Sequence, residues 1–266
     1  MTYGFIGLGN MATAIIGGMR RTPAFADAKI IGADISEEKT EAMRTRYGVQ
    51  PATAEEVFGT ADAVLLAVKP QVLPTLLPAV SGFVRAGQLV ISIAAGRDLA
   101  FYEGYLPVGT PVVRVMPNIN AMVGDAAIAL CGGKYATEEH LGAAEAVFRT
   151  VGETFRIRED LFSAFTALSG SSVAFAYQYI DFIARAGAAA GFSYETALEI
   201  SAAAARGSAK MVSEGGIDPE TLVKMVCSPG GTTIEGIKAL EKGGYRELLT
   251  RAFDAVVARD RELRGV

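Results

Sequence analysis

The stretch Tyr3-Gly4-Phe5-Ile6-Gly7-Leu8-Gly9-Asn10-Met11-Ala12 decides how this chain is read. An apolar run ends at Gly7, and a helical pattern from Met11 to Arg21 begins almost at once. Between them lies G-x-G-x-x-A, the alanine variant of the dinucleotide-binding fingerprint. Gly7 permits a tight turn from strand to helix, and Gly9 has no Cβ to obstruct a pyrophosphate. Ala12 is small enough for the helix to pack on the strand. The unpaired N–H groups at the helix N-terminus, at Asn10 and Met11, face the anion. The motif alone could be a glycine-rich structural turn; its place between a strand and a helix favours a dinucleotide.

The neighbouring segments extend this reading. Lys29-Ile30-Ile31-Gly32-Ala33 reads as a second strand, ended by Asp34. An acid about 20 residues past the fingerprint can accept hydrogen bonds from the ribose hydroxyls of an adenosine and would repel a 2′-phosphate. The alternative for Asp34 is a turn or capping residue. Ser36 is placed to cap the next helix, with Glu37 and Glu38 in its first turn and Gly48 at its end. Thr53-Ala54-Glu55-Glu56 has capping-box spacing.

Ala63 to Val68 is a continuous apolar run, as expected of a parallel strand covered on both faces, and it ends in Lys69-Pro70-Gln71. Leu89 to Ile93 is followed by Ala94-Ala95-Gly96, and Val112 to Met116 leads into Pro117-Asn118. Three successive strands thus end in small or polar residues at one edge, where open α/β sheets bind ligands. Ala67, Lys69, Pro70, Ala94, Ala95, Gly96, Pro117 and Asn118 are therefore expected to line a cofactor cleft with Gly7, Gly9, Asn10, Met11, Asp34 and Ser36.

Ala126 to Cys131 and Thr154 to Ile157 are the last strand-like segments, with a helix from about Glu138 to Val151 between them. From Asp160 to Arg264 the pattern is helical throughout. Gly191, Gly215-Gly216 and Gly243-Gly244 end helices, while Ser193 and Asp218-Pro219 open them. The expected fold class is α/β: an N-terminal Rossmann-type doubly wound sheet over residues 1–158, then an all-α domain over 159–266. The alanine-rich segment Ala184 to Ala205 offers small residues on most faces, and the helical region carries little bulky apolar side chain. Dimerisation is expected to complete it.

Composition narrows the function. The 266 residues carry a net charge of −4 and a pI near 5.3, which gives no basic field for nucleic acid. The most apolar candidate span, Val173 to Phe192, contains Gln178, Asp181 and Arg185 and reads as a soluble helix, so no membrane contact is expected. The N-terminus passes straight into a strand with no signal-peptide pattern, and the two cysteines, Cys131 and Cys227, form no CxxC; the expected setting is cytoplasmic, with free and mostly buried thiols. His140 is the only histidine and lies near the start of a polar-faced helix. Ser-His-Asp catalysis and histidine-rich metal sites are thereby removed, and no metal is expected.

Within the helical half, Cys227-Ser228-Pro229-Gly230-Gly231-Thr232-Thr233 joins one helix to the next. Two glycines before a helix N-terminus expose backbone N–H groups beside two hydroxyls, which suits a small carboxylate. An ordinary helix connection capped by Thr232 is the alternative. Leu168-Ser169-Gly170-Ser171-Ser172 is a second hydroxyl-rich turn with the same two readings.

Taken together, these motifs resemble the pyrroline-5-carboxylate reductases, the last enzymes of proline synthesis. The most specific is Met225-Val226-Cys227-Ser228-Pro229-Gly230-Gly231-Thr232-Thr233-Ile234. Gly7–Ala12, Ala67–Gln71, Ser92–Gly96, Met116-Pro117-Asn118, Leu168–Ser171 and Arg259–Leu263 extend the likeness over the whole chain. The resemblance implies hydride transfer from NADPH or NADH to C5 of a cyclic imine, giving L-proline. It implies Thr233 as the catalytic group, hydrogen-bonded to the imine nitrogen, with Ser171, Ser228, Gly230, Gly231 and Thr232 about the substrate. The N–H groups of Gly230, Gly231 and Thr232 would anchor its carboxylate. It also implies a homo-oligomer, a dimer or a ring of dimers. The family is often NADPH-dependent, whereas Asp34 argues for NADH on charge, with Ser36 and Lys39 able to serve a phosphate if Asp34 turns away.

Two departures stand out. The family usually has Gly-Pro after Leu-Ser-Gly-Ser, where this chain has Ser172-Val173, and Met-Pro-Asn-Thr-Pro, where this chain has Ile119-Asn120. They leave the reading of a reductase-like regulatory protein that binds without turnover. Separately, a dehydrogenase acting on 2-hydroxy or 3-hydroxy acids shares the expected fold but would need a catalytic Lys or His in the helical domain, where Lys210 is the only candidate.

Overall fold

The structure is a computed structural model that describes residues 1–264. The chain divides into two compact units, Met1–Gly170 together with the C-terminal residues from Val257, and Ser171–Val256.

In the first unit, β1 (Thr2–Ile6), β2 (Lys29–Ala33), β3 (Gln50–Pro51), β4 (Ala63–Leu66), β5 (Leu89–Ser92), β6 (Val112–Met116), β7 (Ala126–Gly132) and β8 (Gly152–Arg156) form one sheet in the order β3-β2-β1-β4-β5-β6-β7-β8. All neighbours are parallel except β6 and β7. From β1 the chain winds outward to β2 and β3, then returns to place β4 on the other side of β1. The strand order therefore reverses between β1 and β4, the switch point where such sheets hold ligands beyond the strands' C-terminal ends. The register brings Ile6 beside Ala33 and Leu66, and Leu66 beside Ser92, so these strands end level with one another.

The strands are apolar on both faces because helices cover both. Alternate residues face opposite ways. Phe5, Leu65, Ile91 and Val113 pack with Ile15, Ile16 and Met19 of α1 (Asn10–Arg21), Met43 of α2 (Glu37–Tyr47) and Phe148 of α6 (Glu138–Phe148). Ile6, Val64, Leu66 and Val90 pack with Val57 and Phe58 of α3 (Ala54–Thr60), Leu73 and Leu77 of α4 (Leu73–Val80) and Tyr102 of α5 (Leu99–Tyr105). Caps fall where local sequence sets them. Ser36 accepts from the Lys39 N–H, and Thr53 and Glu56 complete a capping box. His140, expected only as an exposed helix residue, closes a second box: its Nδ1 accepts from the Thr137 N–H at 3.0 Å. Of the two free thiols Cys131 is buried, but Cys227 is only partly so, since it lies in a surface connection rather than on a strand.

One charge is buried in this sheet. Arg114 of β6 pairs with Glu159 at 2.9 Å and stacks on the Phe162 ring at 4.2 Å. Glu159 also accepts from the Leu99 N–H at 2.7 Å. Phe162 opens the short α7 (Phe162–Phe165), which passes into a π-turn over Thr166–Ser171. The hydroxyl-rich turn read from the sequence is thus a widened helical turn, continuous with the helix that follows it. At the chain's other end Asp260 accepts from the Ser163 hydroxyl at 2.8 Å.

The second unit consists of α8 (Ser172–Ala189), α9 (Tyr194–Glu214), α10 (Pro219–Val226), α11 (Thr232–Lys242) and most of α12 (Tyr245–Arg264). Helices α8 and α9 form a hairpin in which a Cβ added at Gly187 would sit 3.2 Å from that of Ala197. Tyr194 donates to Asp181 at 2.7 Å across it. Among the described residues of this unit, Ala184 and Ala197 are the only buried apolar ones. Tyr177, Phe182, Ile183, Ile200 and Met225 are exposed, far more apolar surface than a self-sufficient helical domain leaves open.

Candidate active site

One candidate site lies at the C-terminal edge of the sheet, within the first unit. Gly7 has φ +94°, and a Cβ there would meet the Ala67 carbonyl oxygen at 2.6 Å. The turn out of β1 therefore passes so close to the end of β4 that only glycine fits. Gly9 is the opposite case. A Cβ there would meet nothing within 4 Å, so its absence leaves open space directly before α1. Gly9 is the N-cap of that helix, with no side-chain cap and no acid in the first turn. By contrast α2, α3 and α6 each carry two glutamates there. The α1 terminus alone among these keeps its N–H groups and partial positive charge clear, as a bound pyrophosphate requires.

Asp34 is fixed at the end of β2. Its Oδ2 accepts from the Leu8 N–H at 2.7 Å and its Oδ1 from the Ser36 N–H at 2.9 Å. One carboxylate thus ties the glycine turn to the start of α2, a link between segments that the sequence did not reveal.

The turn after β5 is held from beneath. The Ser92 hydroxyl donates to the buried Tyr102 hydroxyl at 2.6 Å and accepts from the Ala94 N–H at 3.3 Å. Burial pushes the Tyr102 phenol up to about 12. In the turn itself Ala95 is exposed and Gly96 has φ +70°. Lys69 is exposed beside partly buried Ala67 and Pro70.

Pro117 and Asn118, at the end of β6, are buried. The Asn118 amide donates to the Ser169 hydroxyl at 3.0 Å and to its carbonyl at 3.2 Å, and the Ser169 hydroxyl donates to the Ala127 carbonyl at 3.0 Å. The Asn118 Oδ1 accepts from the Asn120 N–H at 3.1 Å. The Asn118 side chain is therefore engaged in holding the π-turn and its own loop. A proline at 120, as in the family pattern, would have no N–H to give to Asn118. Ser169 anchors this loop, a link not legible in the sequence because its partner lies 51 residues away.

The helical unit carries a candidate site of its own. Ser228-Pro229-Gly230-Gly231 is a β-turn: the Gly231 N–H donates to the Ser228 carbonyl at 3.0 Å, with proline second and Gly230 third at φ +71°. Those are the residue types a type II turn demands. The Gly231 N–H, expected to face an anion, is thus used by the turn. Helix α11 begins at Thr232, with Gly231 as N-cap and no side-chain cap. Thr232 does not cap it, which leaves the first-turn N–H groups of Thr232 and Thr233 without an intrahelical partner. Ser228, Gly230, Thr232 and Thr233 are exposed. Ser171 lies elsewhere in the unit, at the N-cap of α8.

Among the described residues no group of three or more His, Cys, Asp or Glu side chains could hold a metal ion, and no helix is long and apolar enough to cross a membrane.

Comparison with known proteins bears on both units. Residues 159–263 match the family described as pyrroline-5-carboxylate reductase dimerisation, and residues 2–96 match NADP oxidoreductase, coenzyme F420-dependent. A pyrroline-5-carboxylate reductase of Methanosarcina acetivorans is 39% identical over 261 residues, covering 98% of this chain and 97% of its own. That of Escherichia coli is 34% identical over 261 residues, with the same coverage. The solved structure of a pyrroline-5-carboxylate reductase from Coxiella burnetii superposes with a TM-score of 0.92 at 31% identity, covering 98% of this chain and 97% of that one.

Proposed function

The chain belongs to the pyrroline-5-carboxylate reductase family, and from that premise we propose that it reduces 1-pyrroline-5-carboxylate to L-proline with NAD(P)H. The observation that carries the reading beyond membership is the Ser228–Gly231 turn, which opens α11 without a cap. The open space at Gly9 and the acid-free first turn of α1 fit a dinucleotide pyrophosphate. When bound, the reduced nicotinamide supplies the hydride.

The residues of the chain do the rest. The N–H groups of Thr232 and Thr233, with the positive end of α11, suit the substrate carboxylate without any cationic side chain. Gly230 and Ser228 shape the turn beside it, and the family resemblance assigns the Ser171 hydroxyl, at the start of α8, to the substrate. The Thr233 hydroxyl serves the ring nitrogen, which gains electron density as C5 is reduced. The nitrogen enters as the protonated iminium or takes its proton through water, so no histidine is needed. Holding the ring in one orientation against the hydride donor supplies most of the rate.

The dimerisation domain and the exposed apolar side chains of the helical unit make the chain a homo-oligomer. A dimer, or a ring of dimers, is the assembly we favour, in a cytoplasmic setting consistent with two free cysteines.

The test is NAD(P)H oxidation with pyrroline-5-carboxylate, run beside a panel of hydroxy acids with the oxidised cofactors. Turnover of the imine alone is expected. Cofactor binding without turnover would select the regulatory reading, and hydroxy-acid oxidation would select the dehydrogenase.

A further inference from the structure

We infer that Asp34 is a specificity-determining residue that makes this reductase prefer NADH to NADPH. In doubly wound folds the acid at the end of the second strand faces the adenosine ribose, where NADP carries its 2′-phosphate. Such an acid excludes the phosphate only if it cannot turn away. Here it is held at both oxygens, by the Leu8 N–H at 2.7 Å and the Ser36 N–H at 2.9 Å. Rotating the side chain would break both bonds and leave the N–H of Leu8, a residue only 2% exposed, without its acceptor.

The pinned carboxylate still has accepting capacity. Each oxygen has a second lone pair, so both can accept a hydrogen bond from the ribose hydroxyls of NADH. A 2′-phosphate near neutral pH has little proton to offer and brings up to two negative charges against a third. The surroundings reinforce this. From Asp34 to Lys39 there are three carboxylates, Asp34, Glu37 and Glu38, against one cation, Lys39. Glu37 and Glu38 fill the first turn of α2, the helix terminus that a 2′-phosphate would otherwise use. The Ser36 hydroxyl serves that helix as its N-cap.

The inference takes from the reductase reading only that a nicotinamide dinucleotide binds. Its test is calorimetric titration of the intact oligomer, without substrate, by NADH and NADPH, and by 5′-AMP and adenosine 2′,5′-bisphosphate. NADH is expected to bind at least ~10-fold tighter than NADPH, and 5′-AMP tighter than the bisphosphate. In Asp34→Asn and Asp34→Ser the NADH-to-NADPH ratio should fall by at least ~10-fold, a readout that general damage to the turn would not move. Equal binding, or tighter NADPH, in the wild-type protein overturns the inference, as does an unchanged ratio in both variants. The wild-type ratio decides even where a variant does not fold. Because no turnover is required, failure with pyrroline-5-carboxylate and failure of the preference are separate results.

Discussion

The carboxamide of Asn118 donates to the Ser169 hydroxyl at 3.0 Å, and this buried bond fastens the loop after β6 to the π-turn that precedes α8. Both residues are only 6% exposed, so water does not replace the bond when it is broken. Asn118→Ala should destabilise the fold by about 1–3 kcal/mol, the cost of leaving buried partners unpaired. Ser169→Ala should cost less once Asn118 is already gone, with a coupling of roughly 0.5 kcal/mol or more between the two changes. Thermal unfolding of the two single variants and the double variant, at one protein concentration, measures this. Additive effects would remove the pair as a unit.

Two glycines in one turn should fail in different ways. Gly7→Ala forces a Cβ to 2.6 Å from the Ala67 carbonyl at φ +94° and should lower the melting temperature markedly. A Cβ added at Gly9 meets nothing within 4 Å, so Gly9→Val should leave stability within about 0.5 kcal/mol of wild type. Its branched side chain fills the space left for a pyrophosphate, so NADH affinity should fall at least ~10-fold. A folded Gly9→Val protein with unchanged NADH affinity would show that the dinucleotide lies elsewhere.

Thr233 offers an exposed hydroxyl in the first turn of α11. Thr233→Ala should lower kcat by roughly 10- to 1000-fold, the range for losing one positioned group, and leave cofactor affinity nearly unchanged. Thr233→Ser keeps the hydroxyl and should recover most of the loss. Steady-state kinetics with pyrroline-5-carboxylate separates these outcomes, and undiminished turnover in the alanine variant would remove Thr233 from the mechanism.

Alkaline pH tests the support beneath Ala94. Burial raises Tyr102 from 10.0 to about 12, so the folded state favours the neutral phenol. A raised value means that the stabilisation is complete below pH 10 and is lost as pH climbs through about 12, a change on the order of 3 kcal/mol. Cys131 moves in the same direction, from 9.0 to about 12. Melting temperature should therefore fall steeply above pH 9. Tyr102→Phe should be less stable at pH 8, having lost the Ser92 bond, but should fall less steeply between pH 10 and 12. Parallel curves for the two proteins would contradict the assignment.

Much of the fold was legible because its signals are local. A cap and its N–H are three residues apart, as at Ser36, Thr53, Ser193 and Asp218, and each of these residues caps its helix. The apolar runs of β4, β5 and β6 report burial on both faces without reference to any distant residue. The two-residue β3 was not legible, since Gln50 and Pro51 are exposed and carry no strand pattern. The π-turn was likewise hidden: its hydroxyl-rich residues read as a break, yet the backbone continues as a widened helix.

By itself the sequence determined the glycine turn at Gly7–Ala12 between β1 and α1, the apolar strands β4, β5 and β6, and the capped starts of several helices. These depend on contacts between near neighbours, which residue type and spacing encode directly. Only the tertiary structure decided what the polar groups are used for. Asp34 is locked to Leu8 and Ser36, Asn118 is spent on Ser169 and Asn120, and Gly231 gives its N–H to Ser228. A carboxylate or amide has several partners within reach of its chemistry. The register of the sheet and the path of the turns choose among them: Leu8 and Ser169 come from far along the chain, while Ser36, Asn120 and Ser228 are met through local turns.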